Sequence, residues 1–299
     1  MKGASCKMTS ITVTIAESLS PMPAKTFLIR HCGLSHTLWK RIKHSGTFRL
    51  NGQPVNAAQT LVHNGDRLSY HILRPCSVQP EALPLDIRFE DNWMIIVNKP
   101  AGQLVHPTTK ESHGTLGNAV LFHYLQQGEA HAYHPVHRLD RATSGLILIA
   151  KEPQIQYQLS RNGITRFQRE YLALVIGCPD PPSGLIDAPI ARDLPSIIKR
   201  KTDPDGKPAR THYRVEKSNG RCSLVHLTLE TGRTHQIRVH MASIGHPLLG
   251  DTLYGCPSSC ISRQALHACQ LTLRHPITGK TIVVQAPMPS DMSRIVSDL

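Results

Sequence analysis

The run Leu146-Ile147-Leu148-Ile149-Ala150 has no polar position, which is how a strand buried on both faces reads, and the residues just before it end in a charged loop. Ser223 to Glu230 has strict alternation instead, with Val225, Leu227 and Leu229 set against His226, Thr228 and Glu230, so a strand is predicted there with one face inward. Further strands are expected at Leu85 to Phe89, Trp93 to Asn98, Glu170 to Ile176, His212 to Lys217, Leu266 to Leu273 and Thr281 to Ala286. Helical spacing is rarer. It places Leu116, Ala119, Val120 and Tyr124 on one side of Thr115 to Gln126, gives a short helix over Pro153 to Ser160, and puts Ile237, Met241 and Ile244 on a helix capped by Thr234 and stopped by Gly245 and Pro247. Asp187 to Arg210, rich in Pro, Lys and Arg, reads as a mobile basic loop.

The first seventy-odd residues have their own rhythm. A β-prone stretch at Ile11 to Ile15 precedes a helix from Thr26 to His31 that ends near Gly33. Ser35 is placed to cap a second helix running through Leu38, Trp39 and Ile42 to Gly46, with Lys40, Arg41 and Lys43 exposed. Strands follow at Phe48 to Leu50 and Arg67 to Ile72, with turns at Asn51-Gly52 and Asn64-Gly65-Asp66. Pro75 to Pro84 shows no periodicity and reads as a linker. Two domains are therefore expected, residues 1–78 and residues 79–299. Strands outnumber helices and the spacers are irregular, so the class is α+β with a central mixed, largely antiparallel sheet and a small α/β unit before it.

Charge sharpens that division. Residues 1–80 carry ten Lys and Arg against two acids, or +8 of the total +13, and residues 81–299 supply 24 minus 19, or +5. A positive field concentrated on a small unit fits a polyanion, and nucleic acid is favoured over membrane because the basic segments lack aromatic anchors. No apolar run approaches the roughly 18 residues of a membrane span. The opening Met1 to Ser20 lacks a secretory pattern, so a cytoplasmic, monomeric protein is expected. The 8 cysteines are scattered without a Cys-x-x-Cys pair, and reduced thiols are expected. Cys256, Cys260 and Cys269 near His267 do not match zinc-ligand spacing, so no metal or cofactor is expected.

Several phosphate and metal motifs fail on inspection. Thr278-Gly279-Lys280-Thr281 ends like a phosphate-binding loop, but Arg274 stands where the upstream glycine is needed. His137-Arg138-Leu139-Asp140 is not a kinase loop, since the Asp is displaced and no Gly-rich loop precedes it. What remains is one carboxylate, Asp140, flanked by Arg138 and Arg141 at the mouth of the buried run, with a tyrosine and further arginines at the starts of other elements. Such a set suits nucleophilic or acid-base work, and an Arg facing Asp140 would hold its geometry.

Five blocks carry a closer resemblance. His137 to Lys151, Val97 to Pro107, Tyr171 to Val175, Thr231 to Gly255 and Ala265 to Ala268 follow one another as in the RNA pseudouridine synthases of the RluA type, which residues 85 to about 290 resemble. The resemblance implies an isomerase that cuts the glycosidic bond of a uridine, turns the base and rejoins the ribose to a ring carbon. It implies Asp140 as the catalytic aspartate, Tyr171 near the target base as a possible general base, and Arg238 as the partner of the aspartate, with Arg233 second for that role. Arg138 would fill the space left by the extruded nucleotide, and His137, Arg233 and Lys99 would line the RNA surface. Residues 24–72 resemble the small RNA-binding domain named after the fourth small-subunit ribosomal protein, through Leu34-Ser35, Ile42 to Gly46, Leu50-Asn51-Gly52, Val55 and Gly65-Asp66, with His36 standing where an Arg is common. That likeness implies RNA contacts through Lys40 and Arg41. Structured RNA is the expected partner, ribosomal RNA of the large subunit ahead of transfer RNA. The reading from another class is a non-catalytic RNA-binding or ribosome-assembly protein.

Overall fold

A computed structural model describes residues 7–15, 20–34, 39–40, 42–43, 47–74, 78–129, 131–160, 167–194, 196 and 198–299. The expected cap Ser35, and with it Leu38, Arg41 and Gly46 of the second helix, lie outside the described residues; Trp39, Lys40, Ile42 and Lys43 are helical.

In the N-terminal part a four-stranded sheet pairs Lys7–Thr14 with Arg67–Arg74, and the latter with Thr47–Leu50, antiparallel throughout. The Asn51-Gly52 turn has both residues at positive φ, 52° and 84°, the geometry that a tight hairpin between Thr47–Leu50 and Gln53–Pro54 demands. Helix Ala24–Arg30 buries Phe27 and Leu28 against Trp39, Ile42, Phe48, Leu68 and Tyr70, which close a core of their own.

The rest of the chain is built on a ten-stranded sheet. Its main path runs Ser183–Asp187, Arg210–Ser218, Cys222–Leu229, Phe167–Ile176, Leu266–Arg274, Ser144–Ala150, Met94–Lys99, Ile87–Glu90. Every strand pairing is antiparallel except that of Ser144–Ala150 with Leu266–Arg274. All seven residues of Ser144–Ala150 are buried, and the two-residue period of the strand sorts them. Ile147 and Ile149 face a core shared with Leu116, Val120 and Tyr124 of helix Leu116–Gln126, while Leu146, Leu148 and Ala150 face one shared with Ile155 and Leu159 of helix Pro153–Ser160. At roughly 1.5–3 kcal/mol per large apolar side chain buried, this central strand is the best-anchored element near the charged loop. Gly145 opens it at φ 114°, and a Cβ there would lie 2.3 Å from Ala268 O, so only glycine lets the parallel pair close.

Two sequence expectations need correction. Asp187 to Arg210 is a built hairpin instead of a mobile loop: Ile190–Arg192 pairs with Arg200–Thr202, and Ile190 and Lys207 exchange backbone hydrogen bonds of 2.9 Å. Its anchor is Ile190, buried with Ala209 and Val239 against Tyr254, a contact that the Pro- and Lys-rich composition conceals. Thr234 does not cap the following helix; His235 stands at the N-cap of Gln236–Ser243 in the left-handed region, φ 59°, without a side-chain cap. The Gln236 side chain serves the turn instead, its Oε1 accepting from Arg233 N–H at 2.9 Å and from the Thr231 hydroxyl at 2.9 Å. A C-terminal helix, Ser290–Ser297, was not expected from the pattern. Among the described residues no helix is long and apolar enough to cross a membrane.

Candidate active site

Asp140 sits in a turn that three separate elements hold down. Leu139 before it is buried in the main core, and Thr143 N–H after it closes the turn on Asp140 O at 3.1 Å. Arg141 O accepts from Gly102 N–H at 2.8 Å and from Lys99 Nζ at 3.1 Å. Ala142 O accepts from Arg263 Nη1 at 3.2 Å, and Arg263 is itself gripped by both oxygens of Asp291 on the C-terminal helix. Only the Asp140 side chain is left partly open, 22% exposed, at the edge of a narrow cleft floored by Leu229, Ile237 and Leu266.

Into that cleft comes Arg238, from the first turns of helix Gln236–Ser243. Its Nη1 lies 3.1 Å from Asp140 Oδ2. The other edge of the same guanidinium forms a fork on the fully buried Asp251, Nε to Oδ2 at 2.6 Å and Nη2 to Oδ1 at 2.8 Å. Burial pushes the Asp251 carboxyl up, but the bonds and charge of Arg238, together with the N–H groups of Leu253 and Tyr254, outweigh it and leave the carboxyl below its usual range. A planar fork fixed on one side and stacked 5.0 Å over the Tyr254 ring has little freedom, so it presents a positioned cation to Asp140.

Tyr171 enters from strand Phe167–Ile176 and lines the same cleft. Burial raises its pKa, with Arg169 opposing and Asp140 adding, so the ring stands as a neutral phenol at neutral pH; a general base would need the opposite shift. His235 is the third neighbour. Its Nε2 is 3.7 Å from Asp140 Oδ2 and its Nδ1 is 2.9 Å from the Tyr254 hydroxyl, which also accepts Arg200 N–H at 2.8 Å. Burial lowers its pKa against the pull of Asp140, which favours the neutral ring.

The sequence-expected residues divide cleanly. Asp140, Tyr171 and Arg238 come together, with Arg138 exposed on the rim. Arg233 reaches the cleft wall but gives its Nε to Pro208 O at 2.9 Å, so the pairing with Asp140 falls to Arg238. Lys40 is exposed on the N-terminal unit, and Arg41 lies outside the described residues. Two expected RNA contacts are corrected. His137 Nε2 accepts Leu148 N–H at 3.1 Å and its ring packs on Phe167, while burial, aided by Arg169, pulls its pKa down to about 3. Lys99 is fully buried and donates to Pro100 O, Gln103 O and Arg141 O at 2.7, 2.9 and 3.1 Å. Both tie the loop to the sheet. Asp251, His235 and Tyr254 were missed as site residues although their block was noticed, because a pairing between buried groups leaves no periodic trace.

Lys99 carries a pH signature. Burial pulls its ammonium down to about 7, with Arg263 and Arg141 adding and Asp140 opposing; the three carbonyls also oppose, since only the charged form donates to all three. A lysine depressed in the folded state binds fewer protons than in the unfolded chain between that value and about 10.4, so stability rises with pH across the window. Wild type is expected to gain about 2 kcal/mol on Lys99→Met between pH 7 and pH 9, read from urea midpoints; parallel profiles would contradict the shift.

Comparisons with known proteins follow the geometry. The family model described as RNA pseudouridylate synthase matches residues 93–243. The chain is 45% identical over 243 residues to the uncharacterised RNA pseudouridine synthase YhcT of Bacillus subtilis, covering 79% of this chain and 80% of that one. It is 46% identical over 230 residues to ribosomal large subunit pseudouridine synthase D of Nitrosomonas europaea, covering 74% and 67%. In fold it is similar to human RNA pseudouridylate synthase domain containing 4, with a TM-score of 0.57 at 24% identity over 71% of this chain and 92% of that one.

Proposed function

This chain belongs to the RNA pseudouridylate synthase family and is an isomerase acting on uridine in RNA, and from that premise we propose that Asp140 carries the chemistry on ribosomal RNA of the large subunit. The carrying observation is the contact of Asp140 with Arg238, itself locked by Asp251, in a cleft that Tyr171 also lines. In the reaction the bond from ribose C1′ to ring N1 breaks, a bond from C1′ to C5 forms, the C5 proton leaves and N1 regains one. Product and substrate are isomers. A positioned carboxylate can attack or accept a proton at these steps, and the neutral Tyr171 phenol offers a face for the base and a hydrogen-bond donor. A uridine inside a stacked helix must leave the stack to reach Asp140, and the exposed Arg138 on the rim is placed to occupy the vacated space.

The large-subunit assignment rests on the relative from Nitrosomonas europaea and on the basic N-terminal unit. We take residues 1–78 as an RNA-holding domain beside a catalytic domain of residues 79–299, working as a cytoplasmic monomer; the separate core around Trp39 and Tyr70 and the +8 charge support that division. Deleting residues 1–78 is expected to weaken RNA binding and flatten its salt dependence, each lost phosphate contact removing about 0.7–0.9 from the log-log slope. Unchanged affinity and slope would remove the handle. The function itself is tested by tritium release from ribosomal and transfer RNA labelled at uridine C5: release from large-subunit RNA is expected, and release from transfer RNA alone would reassign the substrate.

A further inference from the structure

Beside the Asp140 cleft, and sharing Arg233 with it, lies a second cavity of about 530 Å³. One wall is the hairpin built from Ile190–Arg192 and Arg200–Thr202, and the other is the turn Gly232 to Thr234 that leads into His235. The volume falls in the range of small-molecule sites, about 300–1,000 Å³. The hairpin is rigidly placed: Ile190 is buried against Val239 and Tyr254, and Arg200 N–H is held by the Tyr254 hydroxyl at 2.8 Å.

The lining is cationic and uncompensated. Arg192, Arg200, Lys207 and Arg233 line the cavity with Asp205 as its one acid, and among the described residues none of the four cations forms an ion pair. Neighbours just outside behave differently, Lys201 pairing with Asp203, and Arg210 with Asp187 and Glu230. Arg233 has only its Nε engaged, on Pro208 O, and Arg200 turns Nη1 onto Ile198 O and Lys199 O. Several positive groups left unpaired around a nucleotide-sized hollow need an anion to balance them, and guanidinium planes are also surfaces on which an unstacked base rests.

We propose that this cavity is a second nucleotide subsite, which takes a nucleotide flanking the target uridine, its phosphate on Lys207 and Arg233 and its base against Arg192. The proposal rests on the reading of Asp140 as the RNA-modifying centre and adds to it a specificity element next door. It explains why the hairpin is pinned to Tyr254, a residue that also touches His235 and Arg238 of the catalytic cleft.

The test is RNA affinity by filter binding for wild type and the full-length double variant Arg192→Met with Lys207→Met, on a large-subunit RNA stem-loop that wild type converts and on pentauridylate. The variant is expected to bind both about tenfold more weakly and, on pentauridylate, to lower the salt slope by about 1.4 for two lost single-strand contacts. With flanking nucleotides made abasic one at a time, one position is expected to cost wild type about tenfold and the variant nothing further. Unchanged affinity in the variant, or losses that simply add at every position, would overturn the subsite. Conversion is scored in parallel: no conversion by wild type in any RNA would remove the reading of Asp140, while the pentauridylate affinities still decide the cavity.

Discussion

Asp140→Asn is expected to lower pseudouridine formation by at least about 10⁴-fold, the upper end of what a single acid-base group supplies, while RNA affinity stays within about threefold of wild type. The substitution keeps the shape and an oxygen that can accept from Arg238, so the turn between Leu139 and Thr143 has no reason to move. Stability should hardly change either, because Arg238 remains neutralised by Asp251 and Asp140 is the more exposed member of the trio. The split between lost turnover and intact binding, measured on one preparation, is what assigns Asp140 to chemistry. Turnover within tenfold of wild type would take it out of that role.

The second large effect concerns the acid behind the arginine. Arg238→Met strips the buried Asp251 of its partner, and a buried carboxylate left without its cation costs about 3–5 kcal/mol. Activity should also fall by two orders of magnitude or more, about what positioned electrostatic groups contribute. Pairing the change with Asp251→Asn separates the two losses. Asn keeps an oxygen for the N–H groups of Leu253 and Tyr254 but no charge, so the double variant should recover roughly half of the lost stability and none of the lost activity. The pH dependence has a defined sign. In wild type the depressed Asp251 carboxyl contributes stability above about pH 3.9 that is lost as pH falls through the folded value. In Arg238→Met, burial without the cation raises that carboxyl, so the penalty is full at pH 7 and shrinks on acidification. Denaturation midpoints at pH 7 and pH 5 should show the deficit narrowing; a constant deficit would mean that Asp251 is not its source.

What could be read from residue order alone tracks the range over which the physics acts. Ser144–Ala150 announced itself because a strand buried on both faces must be apolar at each position, and Cys222–Leu229 because a half-buried one must alternate. The helix Pro153–Ser160 was legible to the residue. Asp140 and Arg238 stand 98 positions apart, and no periodicity joins them; the family resemblance did, and the geometry then chose Arg238 over Arg233. The hairpin around Ile190 was hidden because it rests on backbone pairing and one buried side chain. Helix Ser290–Ser297 buries only Met292 deeply, too little for a pattern, yet its Asp291 steadies Arg263 and through it the Asp140 turn. Lys99 and His137 were mistaken for surface contacts since charged and polar residues default to the outside; three carbonyls around one and a strand N–H on the other account for their burial.

The central claim is that this cleft converts uridine in large-subunit ribosomal RNA through Asp140. Pseudouridine mapping of total RNA from cells without the gene, and from the same cells carrying wild type or Asp140→Asn, addresses it in one measurement. One or a few large-subunit positions should lose pseudouridine on deletion and regain it with wild type but not with Asp140→Asn. An unchanged map, or restoration by Asp140→Asn, would contradict the account.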